Sequence, residues 1–335
     1  MKKRLLLLSI IICLPLLVSL DPIIYDSTYY ANYKSPEGIQ FISYTDEWNE
    51  KKLQKLYEEL IQNKHGEEIK FLQEVKVVGE GLGDYPSEDY DTKGQYHALT
   101  NTITLYHGDK YTEPEMYRET LAHEYGHHFT YYYFPSHHFP FSKWSKLRGL
   151  DVASIRWDAF VNYSTNQYGS YPQEIIADDY VLLYGSTRKV EVKDVLTNEA
   201  FYTMIQHDNQ QLTNVLELSK LHSYFEEKTG LTIDKRRLLA TPTLKGINNN
   251  TLSFSVINRA NVAFRLNVKM YNDDKLLTEE TITAITTNDS DGEVTFTLRD
   301  LDFADTIEGS ISVLDLNTSI GFEVTLGPLY VNSKK

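Results

Sequence analysis

Cysteine is all but missing. The 335-residue chain has one, Cys13, inside an apolar N-terminal run. Whatever folds downstream of that run therefore has no disulfides and no thiol chemistry. Ile12 precedes Cys13 where a lipid-attachment site needs a small residue, so lipidation is set aside. Positive charge is also scarce: 33 Lys and Arg stand against 47 Asp and Glu, a formal net charge of −14. A nucleic-acid partner normally needs a basic face, which excludes that class of function. No internal repeat and no low-complexity run stands out.

What remains is an ordinary folded composition, 41% apolar and 24% charged, in a chain long enough for two cores. Tyrosine is the one excess: 25 residues, crowded between Tyr25 and Tyr184. Such a density suits aromatic packing or the half-wet wall of a cleft. At the N-terminus, Lys2, Lys3 and Arg4 precede the apolar run Leu5 to Leu20, the pattern of a signal peptide. The stretch "LVSLDP" lacks a clean small-x-small cleavage pair, so an uncleaved membrane anchor stays open. The run is short for a full span, which favours the signal peptide over residues 1–21. An exported protein without disulfides suits a bacterial cell envelope.

Hydrophobic periodicity divides the rest. "GIQFISYT", "FLQEVKVVGE" and "NTITLYHG" read as strands, and "DEWNEKKLQKLYEELIQNKHG" as an amphipathic helix through Leu53, Leu56, Tyr57 and Leu60. "GLGDYPSEDYDTKG" reads as a loop. In "NTITLYHG" threonines alternate with Ile103 and Leu105, as at a sheet edge. Thr112 with Glu115 forms a capping-box pattern for a helix running past Phe129, and Ser170 with Gln173 forms another for a helix to Gly185. A third helix is expected over 211–228. From about Thr241 the period changes to two, in "TLSFSVIN", "VAFRLNVKMY", "EVTFTL" and "GFEVTL", with Asn- and Asp-rich turns between them. That pattern predicts an all-β, immunoglobulin-like sandwich over 240–335 behind an α+β domain over 22–237.

The chemistry concentrates in "ETLAHEYGHHF". His123 and His127 are four apart, about 40° around a helix, so both rings can reach one cation. Glu124 sits about 100° from His123, beside that position, which suits a base acting on water rather than a ligand. His128 is rotated about 140° away and reads as core-facing or capping. Gly126 costs about 1 kcal/mol inside a helix, understandable if another backbone element or a substrate comes close. A third ligand is available in "YPQEIIADDY". Glu174 can complete a His, His, Glu set with one position left open, and Asp178, four residues on, can accept the free N–H of a ligating imidazole.

"HEYGH" followed by "EIIAD" resembles the gluzincin zinc metallopeptidases, whose pattern is HExxH with ExxxD on a later helix. The resemblance covers about residues 38 to 185 and extends to the order of strand, helix, strands and active-site helix. It implies a zincin-like domain that hydrolyses peptide bonds with one zinc ion held by His123, His127 and Glu174. It also implies Glu124 as general base and Asp178 as the partner of His123. Thr102, Ile103, Thr104 and Leu105 would be the edge strand along which an extended peptide pairs. A donor to the developing oxyanion is also needed. Tyr171, three residues before Glu174, is the first choice, and His207 in "MIQHDNQ" the second. Arg118 reads as a substrate-carboxylate anchor or an ordinary first-turn arginine, and "YYYFPSHHFPF" with His137 and His138 as a loop lining the site. The competing functions are an inactive zincin scaffold or adhesin working through its sandwich, and a zinc amidase acting on cell-wall cross-links.

Overall fold

A computed structural model of the protein describes residues 28–79, 92–151, 154–248, 250–288 and 291–331. The N-terminal segment 1–21 and most of the "GLGDYPSEDYDTKG" loop lie outside them. Among the described residues no helix is long and apolar enough to cross a membrane. The architecture is mixed α and β, in two compact units. One comprises the chain up to Ser186 with Lys220–Thr232, the other Thr187–Ser219 with Ile233 onwards.

The first unit is built on a five-stranded sheet: β1 (Ala31–Lys34), β2 (Gln40–Ser43), β3 (Glu74–Val77), β4 (Gly94–His97) and β5 (Thr102–Leu105), in the order β1-β2-β3-β5-β4. β2, β3 and β5 run parallel, and the two outer strands are antiparallel to their neighbours. The β2-to-β3 crossover carries helix α1 (Glu50–Ile61), started by Asn49, whose side chain accepts the Lys52 N–H. Leu53, Leu56, Tyr57 and Leu60 form its buried face, as their spacing predicts. Each such leucine contributes on the order of 2 kcal/mol of burial.

Here the sequence reading of the edge is overturned. β5 lies between β3 and β4, and Thr102, Ile103, Thr104 and Leu105 are all buried. Its threonines alternate with apolar residues because both faces are covered, so it has no free edge for a substrate. Among the described residues the outer strand on this side is β4, in a polar stretch whose glycine-rich flank reads as loop.

Two helices that pack on each other follow the sheet in the chain. Helix α2 (Arg118–Tyr133) follows a 3₁₀ turn over Pro114–Tyr117, and neither start has a side-chain cap, so the Thr112–Glu115 box does not form. After α3 (Lys143–Arg148), α4 (Pro172–Tyr184) starts two residues later than the Ser170 box predicts, with Pro172 in its first turn. Gly126 faces the Ala177 backbone, where an added Cβ would stand 3.0 Å from the carbonyl oxygen. The expected close approach of another backbone is thus met by α4. Phe129 and Tyr180 then pack at 4.6 Å between ring centroids.

The second unit contains α5 (Val192–Leu196), α6 (Glu199–Tyr202) and two antiparallel sheets. The smaller joins β6 (Thr243–Asn248), β7 (Thr251–Ser255) and β10 (Glu293–Thr297) in the order β10-β7-β6. The larger joins β8 (Val262–Asn272), β9 (Lys275–Ile285), β11 (Thr306–Asp315) and β12 (Gly321–Tyr330) in the order β12-β11-β8-β9. The unit's start at Thr187 differs from the boundary expected at 237–240. Val195, Ala200, Phe201 and Met204 share a core with Ala263, Leu314 and Leu316. Backbone bonds Val190 N–H to Leu316 O and Ile205 N–H to Ser319 O tie the same segment to the sheet. The expected third helix is shorter, α7 (Ser219–Thr229), and belongs almost wholly to the first unit, where its Phe225 packs on Phe134 at 4.5 Å.

Candidate metal centre

Because Gly126 lets α2 and α4 touch, residues one turn apart on each helix meet across the seam. His123 and His127 project from α2, and Glu174 from the first turn of α4. The Glu174 Oε2 lies 3.3 Å from His123 Nε2 and 3.1 Å from His127 Nε2. One ligand atom from each of the three lies within 4.8 Å of the others, the arrangement of a site able to hold a metal ion. Ligands about 2.1 Å from a tetrahedral centre stand roughly 3.4 Å apart, so the spacing fits a small cation. The imidazole planes are nearly perpendicular, at 84°.

Asp178, one turn after Glu174, places Oδ1 3.0 Å from His123 Nδ1. That bond fixes the ring with Nε2 toward the shared centre. Asp179 turns the other way, into a fully buried pair with Arg148, Nε to Oδ1 2.9 Å.

The electrostatics describe a place for positive charge. Burial works against the charged form of Glu174, yet His127 and His123 hold its carboxyl far below the usual range. Burial likewise opposes charge on His123, but Asp178 and Glu174 raise its imidazole well above the ordinary value. A proton on the imidazole here does the work a cation would do among the same donors. Glu124 is buried beside them: burial pushes its carboxyl up, while His127 and His123 pull it down. The Tyr96 backbone adds to that downward pull.

The proposed oxyanion donors are placed elsewhere. Tyr171 is fully buried, its hydroxyl donating to the Asn162 carbonyl at 2.9 Å and accepting the Ser164 N–H at 2.8 Å. It is occupied in pinning the 162–164 segment, because α4 begins after it and turns it away from Glu174. His207 belongs to the second unit, where its Nδ1 accepts the Asn209 N–H; the first unit's site is built without it. Instead the 3₁₀ segment Thr165–Ser170 brings the Tyr168 hydroxyl into hydrogen-bonding contact with His123 Nε2. The Tyr163 hydroxyl lies 3.5 Å from Glu174 Oε1. Pro172 was the signal: proline favours the first helical position, which shifts the helix start and makes the preceding turn the one to search.

Other expectations resolve simply. His128 faces the core: its Nε2 donates to the Glu68 carbonyl at 2.8 Å, and its Nδ1 lies 3.2 Å from the Tyr96 hydroxyl. Arg118 grips Glu59 through two bonds of 2.6 and 2.9 Å, which leaves the substrate-anchor reading without support. The His137 and His138 rings lie 3.8 Å apart, tilted by 41°, with Tyr131 edge-on to both. Burial and His127 hold His138 down to about 4. No protein-family model matches the chain, and no curated protein matches it.

Proposed function

We propose that the first unit is a zincin-type zinc metallopeptidase of the gluzincin kind, hydrolysing peptide bonds. The observation that carries this reading is the meeting of His123, His127 and Glu174 at 3.1–3.3 Å, with Asp178 behind His123. The intact glutamate at 124 favours a working enzyme over a scaffold, which has no use for a buried carboxylate beside such a centre. A zinc ion held by those three residues would lower the pKa of water and polarise a carbonyl.

Every other role falls to the protein's own side chains. Glu124 takes the proton of the attacking water and passes it to the departing amine. Tyr168, and Tyr163 beside it, offer hydroxyls to the oxyanion as the carbonyl carbon becomes tetrahedral. The open edge of β4 offers main-chain groups to an extended peptide, in place of β5. The second unit fits an accessory β-sandwich, and the basic-then-apolar start of the chain fits export to the cell envelope.

The test is Glu124→Gln beside wild type, with zinc content and cleavage of casein or a peptide library measured on each. The expected result is unchanged zinc and a loss of hydrolysis of about a thousandfold. Equal cleavage by both proteins would remove Glu124 from the reaction and the proposal with it.

A further inference from the structure

The outer strand β4 packs on the helix that carries the base. In an antiparallel pair alternate residues exchange main-chain bonds. The Tyr106 N–H donates to the Lys93 carbonyl, so Lys93, Gln95 and His97 face β5, and Gly94 and Tyr96 turn their main-chain groups to the open side. The faces match. Two residues along a strand cover about the same length as four along a helix. Gly94 accordingly sits over Thr120 and Glu124, and the Tyr96 ring lies parallel to His127 at 6.5 Å and edge-on to His128 at 5.6 Å.

Gly94 is held there by space. A Cβ on it would stand 2.5 Å from Thr120 Cγ2, 3.0 Å from Glu124 Cγ and 3.2 Å from Glu124 Oε1. Any side chain would push the strand, or Thr120 and the Glu124 stem together, and the strand is fixed through the Tyr96 hydroxyl, 2.8 Å from Asn101 Oδ1.

We propose that β4 is a positioning element for the base: the bare Cα of Gly94 sets the side-chain conformation of Glu124. The proposal rests on the metallopeptidase reading but assigns a residue that reading does not need. It makes the strand that receives substrate the strand that aims the carboxylate, so the reach of Glu124 depends on strand position. A displacement of about 1 Å at a reacting group can cost on the order of a hundredfold in rate.

The experiment compares wild type, Gly94→Ala, Thr120→Ala and the double variant. Zinc content, thermal midpoint, kcat, KM and affinity for a peptide hydroxamate, whose acidic proton needs a carboxylate acceptor, are measured on each. Gly94→Ala is expected to keep its zinc, lose at least about tenfold in kcat with KM within about threefold, and bind the hydroxamate more weakly by a similar factor. Thr120→Ala behaves as wild type. The double variant stays slow, because the contacts with Glu124 persist after the threonine methyl is gone. Wild-type kcat in Gly94→Ala, recovery in the double variant, or loss of zinc from Gly94→Ala would each overturn the proposal. The metallopeptidase reading is judged separately, on wild type and Glu124→Gln.

Discussion

Two tyrosines three residues apart show how narrowly a role is assigned. Tyr168 touches His123 Nε2 through its hydroxyl, whereas Tyr171 spends its hydroxyl on Asn162 and Ser164. Removing each hydroxyl should therefore give opposite phenotypes. Tyr168→Phe is expected to keep zinc and lose about ten- to a hundredfold in kcat, the effect of deleting one oxyanion donor in part. Tyr171→Phe should leave turnover near normal and lower stability by about 1–2 kcal/mol, the cost of a buried partner left unmade. Steady-state kinetics and urea unfolding on both variants check the pair, and the reverse assignment would restore Tyr171 as the donor.

His137 and His138 support a prediction in pH. Burial and its neighbours hold His137 well below the ordinary imidazole value, and His138 at about 4. An unfolded chain takes these protons near pH 6.5 while the folded one refuses them, so stability is whole above pH 6.5 and falls as the pH drops toward 4. His123 is shifted the other way, and its contribution is fully present below pH 6.5. Between pH 6.5 and 5 the pair acts in the same direction as His97 and His128, which burial also holds down. In chelator-treated protein, wild type should lose about 2 kcal/mol more than His138→Gln across that interval. Parallel stability curves for the two proteins would contradict it.

Among elements, the seam between α2 and α4 is what turns separated motifs into one centre. Gly126 permits it, and Gly126→Ala would press a methyl against Ala177 O at 3.0 Å. The expected result is a loss of about 1–3 kcal/mol and a weaker grip on zinc, measured by urea unfolding and chelator competition. Unchanged zinc affinity would mean the seam has slack. The residues of this seam were readable before any coordinates, because helical spacing places His123, His127, Glu174 and Asp178 on facing surfaces and a glycine marks the contact. The edge strand was not. "GQYH" has no apolar alternation, since β4 is covered on one face by polar and aromatic groups of α2, and pairing order is a long-range property that a local pattern lacks. Conversely, Thr102–Leu105 looks half-exposed because threonine tolerates burial when its hydroxyl finds a carbonyl, as Thr102 does with Thr100 O at 3.4 Å.

For the whole molecule, the division at Thr187 means a chain ended after Leu239 would not be a clean catalytic fragment. It would retain Val195, Phe201 and Met204 without Ala263, Leu314 and Leu316 to cover them. Such a fragment is expected to bind a hydrophobic dye strongly and to aggregate, and a well-behaved monomer would argue against that core. The change of hydrophobic period near Thr241 marks where strands begin, which is later than where their core begins.

The central claim, that two helices bring three donors onto one cation, is tested most directly by counting zinc on purified chains. Wild type and Glu124→Gln should each bind one equivalent, and Glu174→Ala should lose it at any chelator concentration the wild type withstands. Glu174→Ala holding zinc as tightly as wild type would show that the carboxylate at 3.1 and 3.3 Å from the imidazoles is not a ligand.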